Sequence, residues 1–217
     1  MKVLKIILVL LLVLILAAAA VFFFADGVMS DIYIKFGDNK LESGNIDRAL
    51  VWYDRAIDRT PDNPEIRITA AKWYAQLDDY SKAEQILNAG IERTPECAEL
   101  YTALSEVYVR QDKLLDAALM LDSITDESVK EKIAGLRPAA PVITPAAGTY
   151  NEYISFSIEV DDTTDDECYC FFSMDGSYPS TSGLYYSEPV KLSDGITEVK
   201  AVNVTSGGIV SSMITVE

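Results

Sequence analysis

A 34-residue period between positions 30 and 131 constrains this chain more than any other feature of its 217 residues. Ala49, Ala83 and Ala117 share one column of that period, and Tyr53, Leu87 and Leu121 share another. Gly37, Ala71 and Ser105 form a small-residue column; Ile46, Tyr80 and Leu114 form a large apolar one. The run Ile57-Asp58-Arg59-Thr60-Pro61 recurs as Ile91-Glu92-Arg93-Thr94-Pro95. Turn signals fall between the columns at Gly44-Asn45, Asp78-Asp79 and Asp112-Lys113. Each unit (30–63, 64–97, 98–131) therefore reads as helix, tight turn, helix, with proline closing the second helix of the first two. Small residues let antiparallel helices approach, and large ones fill the gaps beside them. One hairpin cannot bury its apolar face, whereas three stacked hairpins can.

These columns resemble the tetratricopeptide repeat (TPR) family: a small residue, tyrosine or leucine, glycine in the turn, alanine, an aromatic, alanine, proline. The third unit departs from the pattern with Ile124 at a small-residue position and Val129 at the proline position. Residues 126–136 then read as a capping helix with Val129, Ile133 and Leu136 inward, shielding the last apolar face. The resemblance implies a concave groove lined by the first helix of each hairpin and holding a peptide. Its positions fall on Asp31, Ile34, Asp38, Leu41 and Glu42; on Glu65, Ile68, Lys72, Ala75 and Gln76; and on Glu99, Thr102, Glu106, Val109 and Arg110. Family members that clamp an acidic C-terminal tail use lysine, arginine and asparagine there. This groove carries mostly acids, so a neutral or basic protein segment fits better.

Ahead of the repeats, Lys2 and Lys5 precede an apolar run from Ile6 to Ala25, with no charge until Asp26. A run of about 20 apolar residues is long enough for a transmembrane helix. The lysines before it, and Asp26 and Asp31 after it, orient the N-terminus to the cytoplasm. The competing reading is a cleaved signal peptide, with Ile6–Leu16 as its hydrophobic region and Ala17-Ala18-Ala19 as the cleavage site. Val21-Phe22-Phe23-Phe24 continues the apolar run past that site, which favours an uncleaved anchor. Both readings place the rest of the chain outside.

Charge narrows the partner classes. The net charge is −16. Residues 26–137 contribute −8, and residues 138–217 contribute −10 with only Lys191 and Lys200 as bases. Such a surface repels phosphate backbones, which disfavours nucleic acid. The absence of histidine removes the commonest general base and imidazole metal ligand. No nucleophile, phosphate loop or placed acid–base pair stands out, so neither an enzyme nor a cofactor is expected. Cys97, Cys168 and Cys170 are too few for a disulfide framework and read as thiols.

Arg137-Pro138-Ala139-Ala140-Pro141 ends the helical pattern and reads as a linker. Short strands follow at Ile154–Val160, Tyr169–Ser173, Glu188–Leu192, Thr197–Val204 and Ile209–Val216. Asp175-Gly176 and Asp194-Gly195 are turn signals between them. Strands of this length and spacing suggest a small β-sandwich over 141–217. The landmarks resemble the C-terminal domain of chitobiase and β-hexosaminidase enzymes. They run from Pro141-Val142-Ile143-Thr144-Pro145 and Gly148-Thr149-Tyr150 to Phe172-Ser173-Met174-Asp175-Gly176, then Tyr178-Pro179. Tyr185-Tyr186-Ser187-Glu188-Pro189-Val190 and Val199-Lys200-Ala201-Val202 complete the order. The resemblance implies an immunoglobulin-like accessory module on exported, often carbohydrate-active, proteins, without catalytic residues of its own. Glu159–Glu167 is acidic enough to offer oxygen ligands to Ca²⁺ but lacks the ordered spacing of a calcium loop, and reads as a solvated loop. Tyr169, Phe171, Phe172, Tyr178, Tyr185 and Tyr186 read as core and strand-face residues, with a sugar platform as the alternative.

The expected fold is multi-domain: an N-terminal transmembrane helix over 1–25, an all-α TPR solenoid over 30–136 with three hairpins and a capping helix, then a small all-β sandwich. The expected function is a single-pass, extracytoplasmic scaffold of the cell envelope that binds protein partners through its groove. The alternative is an accessory protein that binds carbohydrate or cell-wall polysaccharide through the sandwich.

Overall fold

The computed structural model describes residues 2–150, 154–160, 167–193, 195 and 197–217, with backbone alone for 2–6 and 21–24. Helices α1 (Lys2–Phe24), α2 (Asp26–Glu42), α3 (Ile46–Arg59), α4 (Pro64–Gln76), α5 (Tyr80–Arg93), α6 (Ala98–Arg110), α7 (Leu114–Asp122) and α8 (Glu127–Ala134) come first. Strands β1 (Val142–Thr144), β2 (Ser155–Glu159), β3 (Cys168–Ser173), β4 (Leu184–Tyr185), β5 (Val190–Lys191), β6 (Val199–Thr205) and β7 (Ile214–Val216) follow.

The transmembrane helix in the expected fold, and the single-pass extracytoplasmic placement built on it, are corrected here. Among the described residues no helix is long and apolar enough to cross a membrane. The described side chains of α1 are those of residues 7–20.

The period reappears in the backbone. Gly44, Asp78 and Asp112 lie 34 residues apart, and all three turn through positive φ, at 72°, 60° and 62°. Each turn is closed by an equivalent hydrogen bond: Asn45 N to Lys40 O at 2.8 Å, Asp79 N to Tyr74 O at 2.9 Å and Lys113 N to Tyr108 O at 2.9 Å. Glycine reaches this conformation without strain, and aspartate is among the few other residues that tolerate it. Asn45 and Asp79 then cap the next helix by accepting from the amides of Arg48 and Lys82.

The small columns mark where helices touch. A Cβ on Gly37 would stand 3.0 Å from the Tyr53 ring. Ala49, Ala83 and Ala117 are fully buried, as is Leu87. One charged residue enters this core. Arg67, 5 % exposed, lies in register with Tyr33 and Tyr101 and donates to Pro61 O at 2.9 Å and Ile86 O at 3.1 Å. Those carbonyls replace the water the guanidinium loses. Burial still holds its pKa below the usual arginine value, with Arg93 adding to the effect.

The capping helix is α8, whose Asp126 accepts from the amides of Ser128 and Val129. Val129 and Ile133 are buried, but Leu136 is half exposed because the helix stops at Ala134. Ile124 and Val129, the two departures from the repeat pattern, are both buried in a second core that runs on into the β-sandwich.

Two antiparallel sheets, β1-β2-β5 and β4-β3-β6-β7, form that sandwich. β4 is a strand the sequence pattern did not separate, and most of Ile209–Ser212 is connection, joined to β6 by a Val204–Val210 bridge. The four-stranded sheet is covered on both faces. Cys170, Phe172, Val199 and Ala201 face Ile143, Phe156 and Ile158 of the smaller sheet. Val202 and Val204 face the other way, into one core with Leu114, Ala117, Leu121, Val129 and Ile133 of α7 and α8. The result is three layers: helices, sheet, sheet.

Residues 137–141 are part of this packing. Arg137 donates through Nε to Val210 O at 2.9 Å and pairs with Asp122 at 2.8 Å. Asn203 Nδ2 donates to Ala139 O at 2.9 Å. Cys170 is buried and Cys168 half-buried, and neither forms a disulfide. The acidic segment 161–166, and with it the body of the calcium reading, lies outside the described residues.

Candidate peptide-binding groove

The first helices of the hairpins, α2, α4 and α6, carry the expected groove positions. Ile34, Leu41 and Ile68 are half-buried against the helical core, and Ala75 is buried in it. Asp31, Glu42, Glu65, Lys72 and Gln76 are exposed above that apolar floor. Lys72, Ala75, Glu106 and Arg110 meet along one crevice between α4 and α6.

Several of these polar groups already have partners. Asp38 accepts from the Tyr53 hydroxyl at 2.6 Å. Burial and that carboxylate together push the Tyr53 phenol well above its ordinary pKa, so it stays a donor. Glu99 sits in the first turn of α6 beside Cys97, whose thiol lies 3.2 Å from it. Its own amide and that thiol hold its carboxyl below the usual range. Thr102 donates to Glu99 O at 3.0 Å. Glu106 accepts from Arg110 at 2.9 and 3.2 Å. The unpaired charge of the groove is thus concentrated on α2 and α4.

The third repeat differs because the sandwich leans on it. The turn between β6 and β7 brings Gly208, at φ 77°, against α6. A Cβ there would lie 3.0 Å from Glu106 Cα. Ser105, fully buried, donates to Gly208 O at 2.8 Å. Val109 is half-buried in the core shared with the sheet. The turn therefore stands as an end wall across the groove at Ser105–Val109.

A second tether lies at the α6–α7 turn. Asp112 accepts from the Ser180 hydroxyl, the Thr181 amide, the Thr181 hydroxyl at 2.9 Å and the Ser182 hydroxyl at 3.4 Å. Partial burial alone would raise its pKa, but these donors together hold it below the ordinary aspartate value. The end wall and the Asp112 tether escape sequence reasoning, because both join residues more than 60 positions apart. The signal that was present is β6, which carries valines on both faces, Val199 on one and Val202 and Val204 on the other, and so calls for cover on both.

The six aromatic residues weighed as a sugar platform divide among several environments. Phe172 and Tyr186 pack in the inter-sheet core, Phe171 packs toward the helices, and Tyr178 lies under Lys200 Nζ at 4.4 Å. Tyr169 and Tyr185 form a ring pair at the rim, with centroids 6.1 Å apart. They do not make a single platform. Among the described residues no group of three or more His, Cys, Asp or Glu could hold a metal ion.

An apolar floor on stacked helical hairpins, met at one end by a turn of the β-sandwich, defines a helical-repeat interaction scaffold joined to a β module. Residues 40–107 match the family model for the tetratricopeptide repeat, and residues 145–215 match that for the chitobiase/β-hexosaminidase C-terminal domain. The chain carries both. No curated protein matches it. Among solved structures it is similar to the N-terminal domain of stress-induced protein-1 (STI-1) from C. elegans, with 18 % identity and a TM-score of 0.42, covering 52 % of this chain and 97 % of that one. The TPR2B domain of yeast Sti1 in its pHsp70 complex is 19 % identical with a TM-score of 0.41, covering 49 % and 81 %. The first TPR domain of the human RPAP3 protein is 18 % identical with a TM-score of 0.39, covering 49 % and 87 %.

Proposed function

We propose that this chain holds a short neutral or basic protein segment across its concave face, with α2 and α4 as the main contacts and the Gly208 turn as the end stop. The observation that carries this reading is an apolar floor bordered by unpaired carboxylates. Ile34, Leu41 and Ile68 offer surface to cover, and Asp31, Glu42 and Glu65 offer charge to match. An acidic tail finds mainly Lys72, because Arg110 is engaged by Glu106. Neighbouring packed helices lie about 8–10 Å apart, and an extended chain advances about 3.3 Å per residue. A segment running from α2 to the end wall on α6 therefore has about six residues. The role is one of holding a partner, and no bond-making step is assigned to it.

The test uses the full chain and an alternating glycine–arginine hexapeptide as probe. Replacing Glu65 and Glu42 together by lysine should weaken its binding at least tenfold, whereas reversing Glu92 on the second helix of the hairpin should not. Equal losses at both places would reduce the effect to bulk charge and remove the groove from the account.

A further inference from the structure

The helix-facing side of the four-stranded sheet runs on past the helices that cover it. Tyr169 stands opposite Val204, and Phe171 stands opposite both Val202 and Tyr185. Cross-strand partners share a face, so Tyr169, Phe171 and Tyr185 lie on the side whose Val202 and Val204 are packed against α7 and α8. Cover fades toward the edge strand: Val202 is fully buried, Phe171 half-buried and Tyr185 53 % exposed. The rings of Tyr169 and Tyr185 are 6.1 Å apart, and those of Phe171 and Tyr185 are 6.2 Å apart.

This rim is joined to the end wall of the groove. The Glu167 carboxylate beside the Tyr169 hydroxyl raises its pKa above the ordinary tyrosine value. Glu167 O accepts from the Ser206 amide at 2.8 Å. Ser206 belongs to the same turn as Gly208, which rests on Glu106. One short turn thus has a carboxylate on either side of it, Glu106 toward the groove and Glu167 toward the tyrosines.

We propose that the Tyr169–Tyr185 rim takes a cationic side chain, of the arginine type, from the segment held in the groove. The inference rests on the groove reading and adds a second recognition point beyond the end wall. Aromatic faces are electronegative and attract a guanidinium or ammonium group, and arginine can stack flat on them. The surroundings add charge of the same sign, in a chain of net charge −16. The protein already uses this contact for its own cations, most closely where Arg55 lies 4.7 Å from the Trp52 centroid and Lys200 lies 4.4 Å from that of Tyr178. Tyr185 has an exposed face and its ring partner Tyr169 has the Glu167 carboxylate beside it, so a visiting cation completes the same arrangement.

Fluorescence anisotropy of the full chain with a labelled alternating glycine–arginine dodecapeptide, long enough to pass the end wall, tests this. Tyr185→Leu keeps the apolar bulk and removes the ring face, and should weaken binding about three- to tenfold. Tyr185→Phe keeps the ring and should stay within about twofold of wild type. Wild-type affinity in Tyr185→Leu, with Glu65→Lys still weakened, overturns the rim and leaves the groove standing. Unchanged affinity in Glu65→Lys, or no binding by the wild-type chain, overturns the groove reading and the rim with it. Tyr185→Leu that keeps the peptide but loses retention on insoluble chitin overturns the proposal in favour of a sugar site.

Discussion

Gly208 and Gly44 have similar left-handed backbones, at φ 77° and 72°, in opposite surroundings. Nothing would meet a Cβ on Gly44 within 4 Å, whereas one on Gly208 would meet Glu106 Cα at 3.0 Å. Gly44→Ala therefore measures the conformational cost alone, about 1–2 kcal/mol. Gly208→Ala carries that cost plus a collision with helix backbone, which cannot swing aside as a side chain would. Overpacking of this kind costs about 1–3 kcal/mol more, giving about 2–5 kcal/mol in all. In a chain of this size each kcal/mol moves Tm by about 2–4 °C, so the expected fall is about 4–20 °C against about 2–8 °C for Gly44→Ala. Urea unfolding followed by far-ultraviolet circular dichroism gives the two free energies directly. Equal losses in the two variants would refute the reasoning, because they would mean the turn does not rest on α6.

Two further outcomes follow from the same contacts. The carboxyl of Asp112 has a lowered pKa when folded, so its contribution is complete above the unfolded value, about 3.9, and is lost as pH falls through the folded one. Wild type should therefore lose more stability than Asp112→Asn on acidification from about pH 5, which parallel unfolding series at stepped pH would detect. Burial pushes the Cys170 thiol up to about 12, so in the native chain it should resist a thiol-selective reagent near pH 8 and react only on unfolding. Native labelling of Cys170 at the rate of the half-buried Cys97 would contradict its burial.

The helical half was largely legible in the sequence because its determinants are local and repeat. The columns at Gly37, Ala49 and Tyr53 recur every 34 residues, and so do the turns at Gly44, Asp78 and Asp112. Arg67 was not legible. A charge in an apolar column reads as surface until the carbonyls of Pro61 and Ile86 are seen to receive it. The strands were found where alternation is clean, as at Ser155–Glu159, while Leu184–Tyr185 was too short to carry a period. The apolar run before Asp26 was read by hydropathy alone, and the described part of α1 does not support the span. The groove positions followed from the family resemblance, but their availability did not. Asp38, Glu106 and Val109 are engaged by Tyr53, Arg110 and the β-sheet core, and only a tertiary structure shows such partners. The docking of the sandwich had one trace in the sequence, the valines on both faces of Val199–Thr205.

Amide chemical-shift mapping of the full, nitrogen-15-labelled chain, titrated with a glycine–arginine dodecapeptide, tests the central claim most directly. The account predicts that shifts concentrate on Asp31, Ile34, Glu42, Glu65, Ile68 and Lys72 and stop at the Ser105–Gly208 contact, apart from a separate response at Tyr185. Shifts confined to the second helices, such as Val51, Arg55, Gln85 and Glu92, or spread evenly over the acidic surface, would contradict it.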